Sequence, residues 1–123
     1  MTLMKETNEI LYKVIGSCME VHRTLGPGYP VEYYRKALEV EFEAKELKFE
    51  TNKPVDVIYK EMLIGTHEID FWLNETVVIM LRVQEDLGDL DIQQVLRLLT
   101  LMKSSIGLLV NFGNIKIQYK RIL

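Results

Sequence analysis

Five consecutive residues, Val77-Val78-Ile79-Met80-Leu81, are apolar at every position. A strand with one face in water alternates apolar and polar side chains, whereas a strand apolar throughout is expected to be covered on both faces. The chain therefore needs a layer of structure on each side of a sheet, and the rest of the sequence offers it.

Upstream, Ile10, Leu11, Val14, Ile15, Cys18, Met19, His22 and Leu25 recur at i, i+3, i+4, the spacing of an amphipathic helix over about 5–25. Gly26-Pro27-Gly28 is expected to end it, since Gly accepts the left-handed cap and Pro cannot continue a helix. A second helix is expected to open at Pro30 and run to about Leu47, with Val31, Tyr34, Leu38 and Phe42 inward and a charged outer face. After Pro54 the period changes to 2, with Val55, Val57 and Tyr59 alternating with Asp56, Ile58 and Lys60. Residues 62–65 continue a hairpin, and 68–73 and 76–83 read as two strands joined by a tight turn at Asn74-Glu75. Helical spacing returns over 89–103, where Asp91 and Gln94 read as a capping box. A short apolar strand over 106–111 and an alternating edge strand over 115–122 complete the chain. The order α-α-β-β-β-α-β-β predicts an α/β fold, one mixed sheet flanked by helices, in a single domain over 1–123.

Composition narrows the function classes. Fifteen Lys and Arg against 18 Asp and Glu give a net charge of −3, which disfavours generic binding to a nucleic acid backbone but leaves room for a local basic patch. The single cysteine, Cys18, excludes an intrachain disulfide and a cysteine-cluster metal site, and fits a reducing cytoplasm. The apolar runs are too short to span a bilayer. The first nine residues lack the apolar stretch of a secretory leader.

Particular words in the sequence carry more. Val21-His22-Arg23-Thr24-Leu25-Gly26-Pro27-Gly28 is followed by Tyr34 with Ala37-Leu38, by Asp70, and by Leu98-Leu99-Thr100 with Lys103. Gly107-Leu108-Leu109-Val110-Asn111-Phe112-Gly113 and the terminal Lys120-Arg121-Ile122 complete the set. In order and spacing this resembles the GxxExxY proteins, a branch of the PD-(D/E)XK nuclease-like superfamily. The resemblance implies a restriction-endonuclease-like fold and a carboxylate cluster that holds Mg²⁺, a hard cation that takes oxygen ligands. It also implies a helix Glu, a strand Asp, a Glu-x-Lys on the next strand and a helix Gln.

Carried over position by position, those roles fall on Val31, Asp70, Met80 with Arg82, and Arg97. Only Asp70 keeps the residue the pattern asks for. A slip of one residue would put Glu32 in the first place, but the spacing to Tyr34 and Ala37-Leu38 argues against it. Two Glu, one Asp and one Lys carry a charge of about −2, whereas Asp70 with Arg82 and Arg97 carries about +1 if the three converge. A unit charge pair at about 4 Å is worth about 4 kcal/mol at an effective dielectric near 20, so this exchange disfavours a divalent cation by several kcal/mol. No metal or other cofactor is expected. Met80 and Arg82 share a strand face. A three-residue turn after Leu73 sets Asp70 opposite Met80, where it can pair with Arg82; a two-residue turn sets Ile79 there instead.

Other chemically capable residues have plainer readings. His22 on a helix's apolar face is expected to donate to a backbone carbonyl. His67, on the opposite face from Asp70, has no second ligand in view, and Cys18 is expected to be inert packing. Trp72 shares Asp70's face in a regular strand and reads as core or interface.

The expectation is therefore a pseudonuclease, a catalytically inactive nuclease-like domain acting as an interaction or oligomerisation module, with the last strand's edge and Tyr29 and Tyr33 as contact surfaces. Two alternatives stay open. One is a nucleic-acid binder without cleavage, using Arg82, Arg97 and Lys103. The other is a Mg²⁺-dependent nuclease with displaced ligands such as Glu32, Asp70 and Glu85.

Overall fold

The computed structural model describes residues 2–123; Met1, where the stretch read as lacking a leader begins, lies outside them. The element order is the expected one: α1 (Thr2–Leu25), α2 (Val31–Ala44), β1 (Phe49–Tyr59), β2 (Met62–Leu73), β3 (Val77–Arg82), α3 (Asp89–Met102), β4 (Ile106–Asn111) and β5 (Gln118–Ile122). The five strands form one sheet in the order β1-β2-β3-β4-β5. All neighbours are antiparallel except β3 and β4, which run parallel with α3 as their crossover. This is the α/β architecture of restriction-endonuclease-like domains. No described helix is long and apolar enough to cross a membrane.

The apolar run of β3 sits where its composition demands. Val77, Ile79 and Leu81 pack with Leu11, Val14, Tyr34, Leu38, Phe42, Leu108, Val110 and Phe112 on the side of α1 and α2. Val78 and Met80 pack with Val95, Leu98, Leu99 and Leu109 on the side of α3. Each of these side chains is at most about one-twentieth exposed, and burying each stabilises the fold by roughly 1.5–3 kcal/mol before entropy is counted.

Several boundaries move, for local reasons. Pro30 is the N-cap of α2 and not its first residue. α2 stops at Ala44, short of Leu47, because Glu46 turns left-handed at φ +57°. Its N–H then bonds Glu43 O and that of Leu47 bonds Phe42 O, a Schellman closure without glycine. β1 begins at Phe49, and Pro54 lies inside it. That is tolerated because β1 is an edge strand and one face of its ladder needs no donor. Residues 62–73 form one strand, not two pieces. β5 begins at Gln118, with Ile115 exposed in the preceding turn.

The turn after β2 holds three residues, since Leu73 pairs with Val77. β2 also changes face. Ile69 packs with the α3 side, yet Phe71 and Leu73 pack with α1 and α2. The β1–β2 ladder skips the pair Asn52 and Asp70 at this point, and Asn52 is left-handed at φ +49°. Asp70 thus sits on an irregularity, and Trp72, which packs on the α3 side, does not share its face as a regular strand would require.

Candidate functional site

Asp70 is nine-tenths buried, and both of its oxygens are engaged. Arg35 of α2 donates from Nη2 to Asp70 Oδ1 at 2.5 Å. The backbone N–H of Leu81 donates to Oδ2 at 2.8 Å. The register sets Asp70 level with Met80, but the ladder between β2 and β3 ends at Phe71–Ile79. The carboxylate therefore closes the gap between two diverging strands that no longer bond main chain to main chain. A guanidinium does neutralise Asp70, but it is that of Arg35. Among the described residues no ion pair joins Asp70 to Arg82 or to Arg97, so the expected Asp70–Arg82 pair is corrected. The cause is the face change in β2, which turns Asp70 toward α2 while Arg82 stays with α3.

Arg82 is held on the opposite side. Its Nε donates to Asp91 Oδ1 at 3.1 Å, Nη2 to Gln94 Oε1 at 2.5 Å and Nη1 to Leu81 O at 3.0 Å. Asp91 also accepts Gly88 N at 2.9 Å and Gln84 Nε2 at 2.7 Å. Asp91 is therefore the third residue of α3, with Gly88 as the N-cap, and not itself the cap of a box with Gln94. Burial pushes the Asp91 carboxyl up, but the Gly88 N–H, the Gln84 amide and the Arg82 guanidinium outweigh burial and hold it below its usual 3.8. A lowered folded-state value means stabilisation that is complete above pH 3.8 and fades as the pH falls through the lowered value. Asp91→Ala is expected to cost about 1.5–3 kcal/mol at neutral pH. In urea titrations its gap from the native protein should narrow on acidification below 3.8; a constant gap would leave these bonds no ionic share.

The words that carried the sequence resemblance assemble the scaffold around this place. Tyr34 donates from its hydroxyl to Gly26 O at 2.5 Å and accepts from Tyr29 N at 3.2 Å, and its ring stacks on Phe112 at 4.5 Å. His22 Nε2 bonds Asn114 O at 2.9 Å, the carbonyl partner expected of it. Asn111 is fully buried. Its Oδ1 accepts Gln84 N and Gly113 N, each at 3.0 Å, and its Nδ2 donates to Gln84 O and Gln118 Oε1, each at 2.9 Å. One side chain thus fastens the segment after β3 to the turn after β4.

A model of the PD-(D/E)XK nuclease superfamily matches residues 8–122. The chain belongs to that superfamily. No curated protein and no solved structure matches it.

In PD-(D/E)XK nucleases the carboxylate cluster holds the metal, and the side chains here do not fit one. Val31 and Arg82 line an open cleft of about 550 Å³ with Gly28, Pro30, Leu81 and Gln84. Met80, in a Glu position, is buried in the α3-side core. Arg97 is exposed on α3, and Lys103 is exposed at its left-handed C-cap. Glu32 and Glu85 are both exposed. Among the described residues no three His, Cys, Asp or Glu side chains are grouped to hold a metal ion. The one remaining carboxylate, Asp70, already has a cation and a backbone donor. Arg35 Nε, moreover, is buried without an acceptor, so the place is short of anionic oxygen and not of positive charge. Arg35 carried no signal in the sequence, since it lies in a charged helix 35 residues from Asp70.

Proposed function

We propose that the chain is a GxxExxY-type PD-(D/E)XK domain that does not cleave by the superfamily's metal-dependent chemistry and serves as a protein interaction or oligomerisation module. The observation that carries this reading is the Arg35–Asp70 pair, a protein cation seated against the one carboxylate the nuclease pattern retains. Val31 and Met80 offer no oxygen in the two Glu positions. Arg82, in the Lys position, is committed to Asp91 and Gln94 and cannot orient a water toward a phosphate while so held. The single free and buried cysteine accords with a cytoplasmic setting, and the whole chain acts as one domain.

Calorimetric titration with Mg²⁺ tests this directly. The native protein is expected to show no binding heat above dilution. The variant Arg35→Gln, which frees Asp70 of its guanidinium, is expected to show none either, because Met80 lies in the core on the α3 side and Arg97 is exposed, so no second carboxylate position converges on Asp70. Native uptake that Asp70→Ala abolishes, or phosphodiester hydrolysis by the native protein, would overturn the proposal.

A further inference from the structure

A pocket lies on the α3 side of the sheet, away from Asp70. Beside its core residues Val95, Leu98 and Leu99, α3 carries a second stripe, Leu90, Gln94, Arg97 and Leu101, at i, i+4, i+7 and i+11. Facing it are Val57 of β1 and His67 of β2. Both point to the side of Val55 and Ile69, which belong to the α3-side core. The pocket between this stripe and the hairpin holds about 200 Å³. At its mouth Leu90 and Leu101 are 74% and 39% exposed, so covering them would be favourable.

The polar lining offers donors and no negative charge. No Asp or Glu lines the pocket. In the hairpin, Asp56 and Glu68 adjoin Val57 and His67 in sequence and therefore point to the opposite face. On α3, Asp91 is already bound to Arg82. Neither Arg97 nor His67 has an ion-pair partner among the described residues. Gln94 has its amide oxygen taken by Arg82 Nη2, which leaves its Nε2 hydrogens to give. Positive charge beside apolar walls complements a ligand with one negative charge and an apolar body. The volume sets the size of that body. A dry cavity of about 150 Å³ holds benzene, so this pocket takes one ring or a chain of about eight carbons. Phosphate, which has no such body, would leave Leu90 and Leu101 uncovered.

We propose that this pocket binds a small monocarboxylate, with Arg97 and His67 donating to the carboxylate and Val57, Leu90, Leu98 and Leu101 enclosing its apolar body. A carboxylate can accept two parallel bonds from the guanidinium fork, which an alcohol cannot match. This role goes beyond the interaction role above and does not depend on it. Asp70 and Arg35 lie on the α2 side, and Mg²⁺ titration does not read occupancy here.

Calorimetry of the full chain with octanoate, kept below its micelle range, is expected to show saturable one-to-one binding. Acetate, which lacks the body, and 1-octanol, which lacks the charge, are each expected to bind at least about ten-fold more weakly. Arg97→Gln is expected to weaken octanoate binding by about ten-fold or more, and Arg97→Lys, which keeps the charge, by less. Both variants should melt at the native temperature without ligand, since Arg97 is exposed. Amide shifts in heteronuclear NMR spectra locate the occupant. They are expected at Val57, at His67 and along 90–101, and not at the exposed apolar tip formed by Ile58 and Met62–Ile64, where an amphiphile seeking only apolar surface would gather. Absence of saturable octanoate binding would overturn the proposal. So would acetate or 1-octanol matching octanoate, an Arg97→Gln loss no larger than that of Arg97→Lys, or shifts confined to the hairpin tip.

Discussion

Arg35→Met is expected to lower folding stability by about 3–5 kcal/mol, the cost of leaving one buried charge without its partner. The magnitude follows from where the pair sits. The side chains of Arg35 and Asp70 are 14% and 12% exposed, so water cannot take over the lost contact as it does for surface pairs, which contribute about 0–1 kcal/mol. In a chain of this length the loss corresponds to a fall of roughly 10–20 °C in the thermal midpoint. Asp70→Ala should be at least as harmful, because it strands Arg35 and also removes the acceptor of Leu81 N–H. The double variant Arg35→Met with Asp70→Asn is expected to recover part of the loss, since no uncompensated charge remains and the amide oxygen can still accept from Leu81. Urea denaturation of the four proteins reads all of this. A loss below about 1 kcal/mol for Arg35→Met would mean that the pair is a solvated contact and not the neutralising element of the site.

Gly113→Ala is expected to cost about 3 kcal/mol or more, by a different route. A Cβ at this position would lie 2.2 Å from Gln84 O, 2.3 Å from Gln84 N and 2.8 Å from Gln84 C. These are main-chain atoms, so no side-chain rotation relieves the clash. The turn after β4 and the segment after β3 must separate, and with them go the Asn111 bonds to both polar groups of Gln84. Gly16→Ala is the built-in comparison. Nothing lies within 4 Å of the added carbon in α1, and replacing a helix-interior glycine by alanine should raise stability by about 0.5–1 kcal/mol. Opposite signs at the two positions are the expected result of thermal melts. If Gly113→Ala proved neutral, the backbone approach described for the NFG turn would not hold.

The parts of the fold that were readable before the structure share a cause. Each was set by short-range pattern: the 3.6-residue stripe through Leu11, Val14, Cys18 and His22, the unbroken apolar β3, the Gly-Pro-Gly stop. The partner expected for His22 was readable too, because a buried imidazole has few options beyond a carbonyl. What escaped depended on contacts between distant segments. Pro54 looked like the start of a strand because its tolerance inside β1 depends on β1 being at the edge. The break in alternation at Asp70 is produced jointly with Asn52 on the neighbouring strand, and no window around Asp70 contains that information. The positions of the nuclease pattern were placed by the resemblance and not by spacing alone. Their convergence was not legible: Arg82 turns to Asp91, Arg97 to open solvent, and the charge that reaches Asp70 comes from a helix residue that no motif marks.

A pocket of clustered carboxylates repels itself until a counterion arrives, so proteins that carry one are commonly loosened by chelators and tightened by added salts of the right metal. By using Arg35 as a tethered counterion for Asp70 at the parting of β2 and β3, this chain completes its own electroneutrality as it folds. The proposal implies a final shape independent of the dissolved-ion supply, with the parting of β2 and β3 bridged by Asp70 itself and not by a solute that comes and goes.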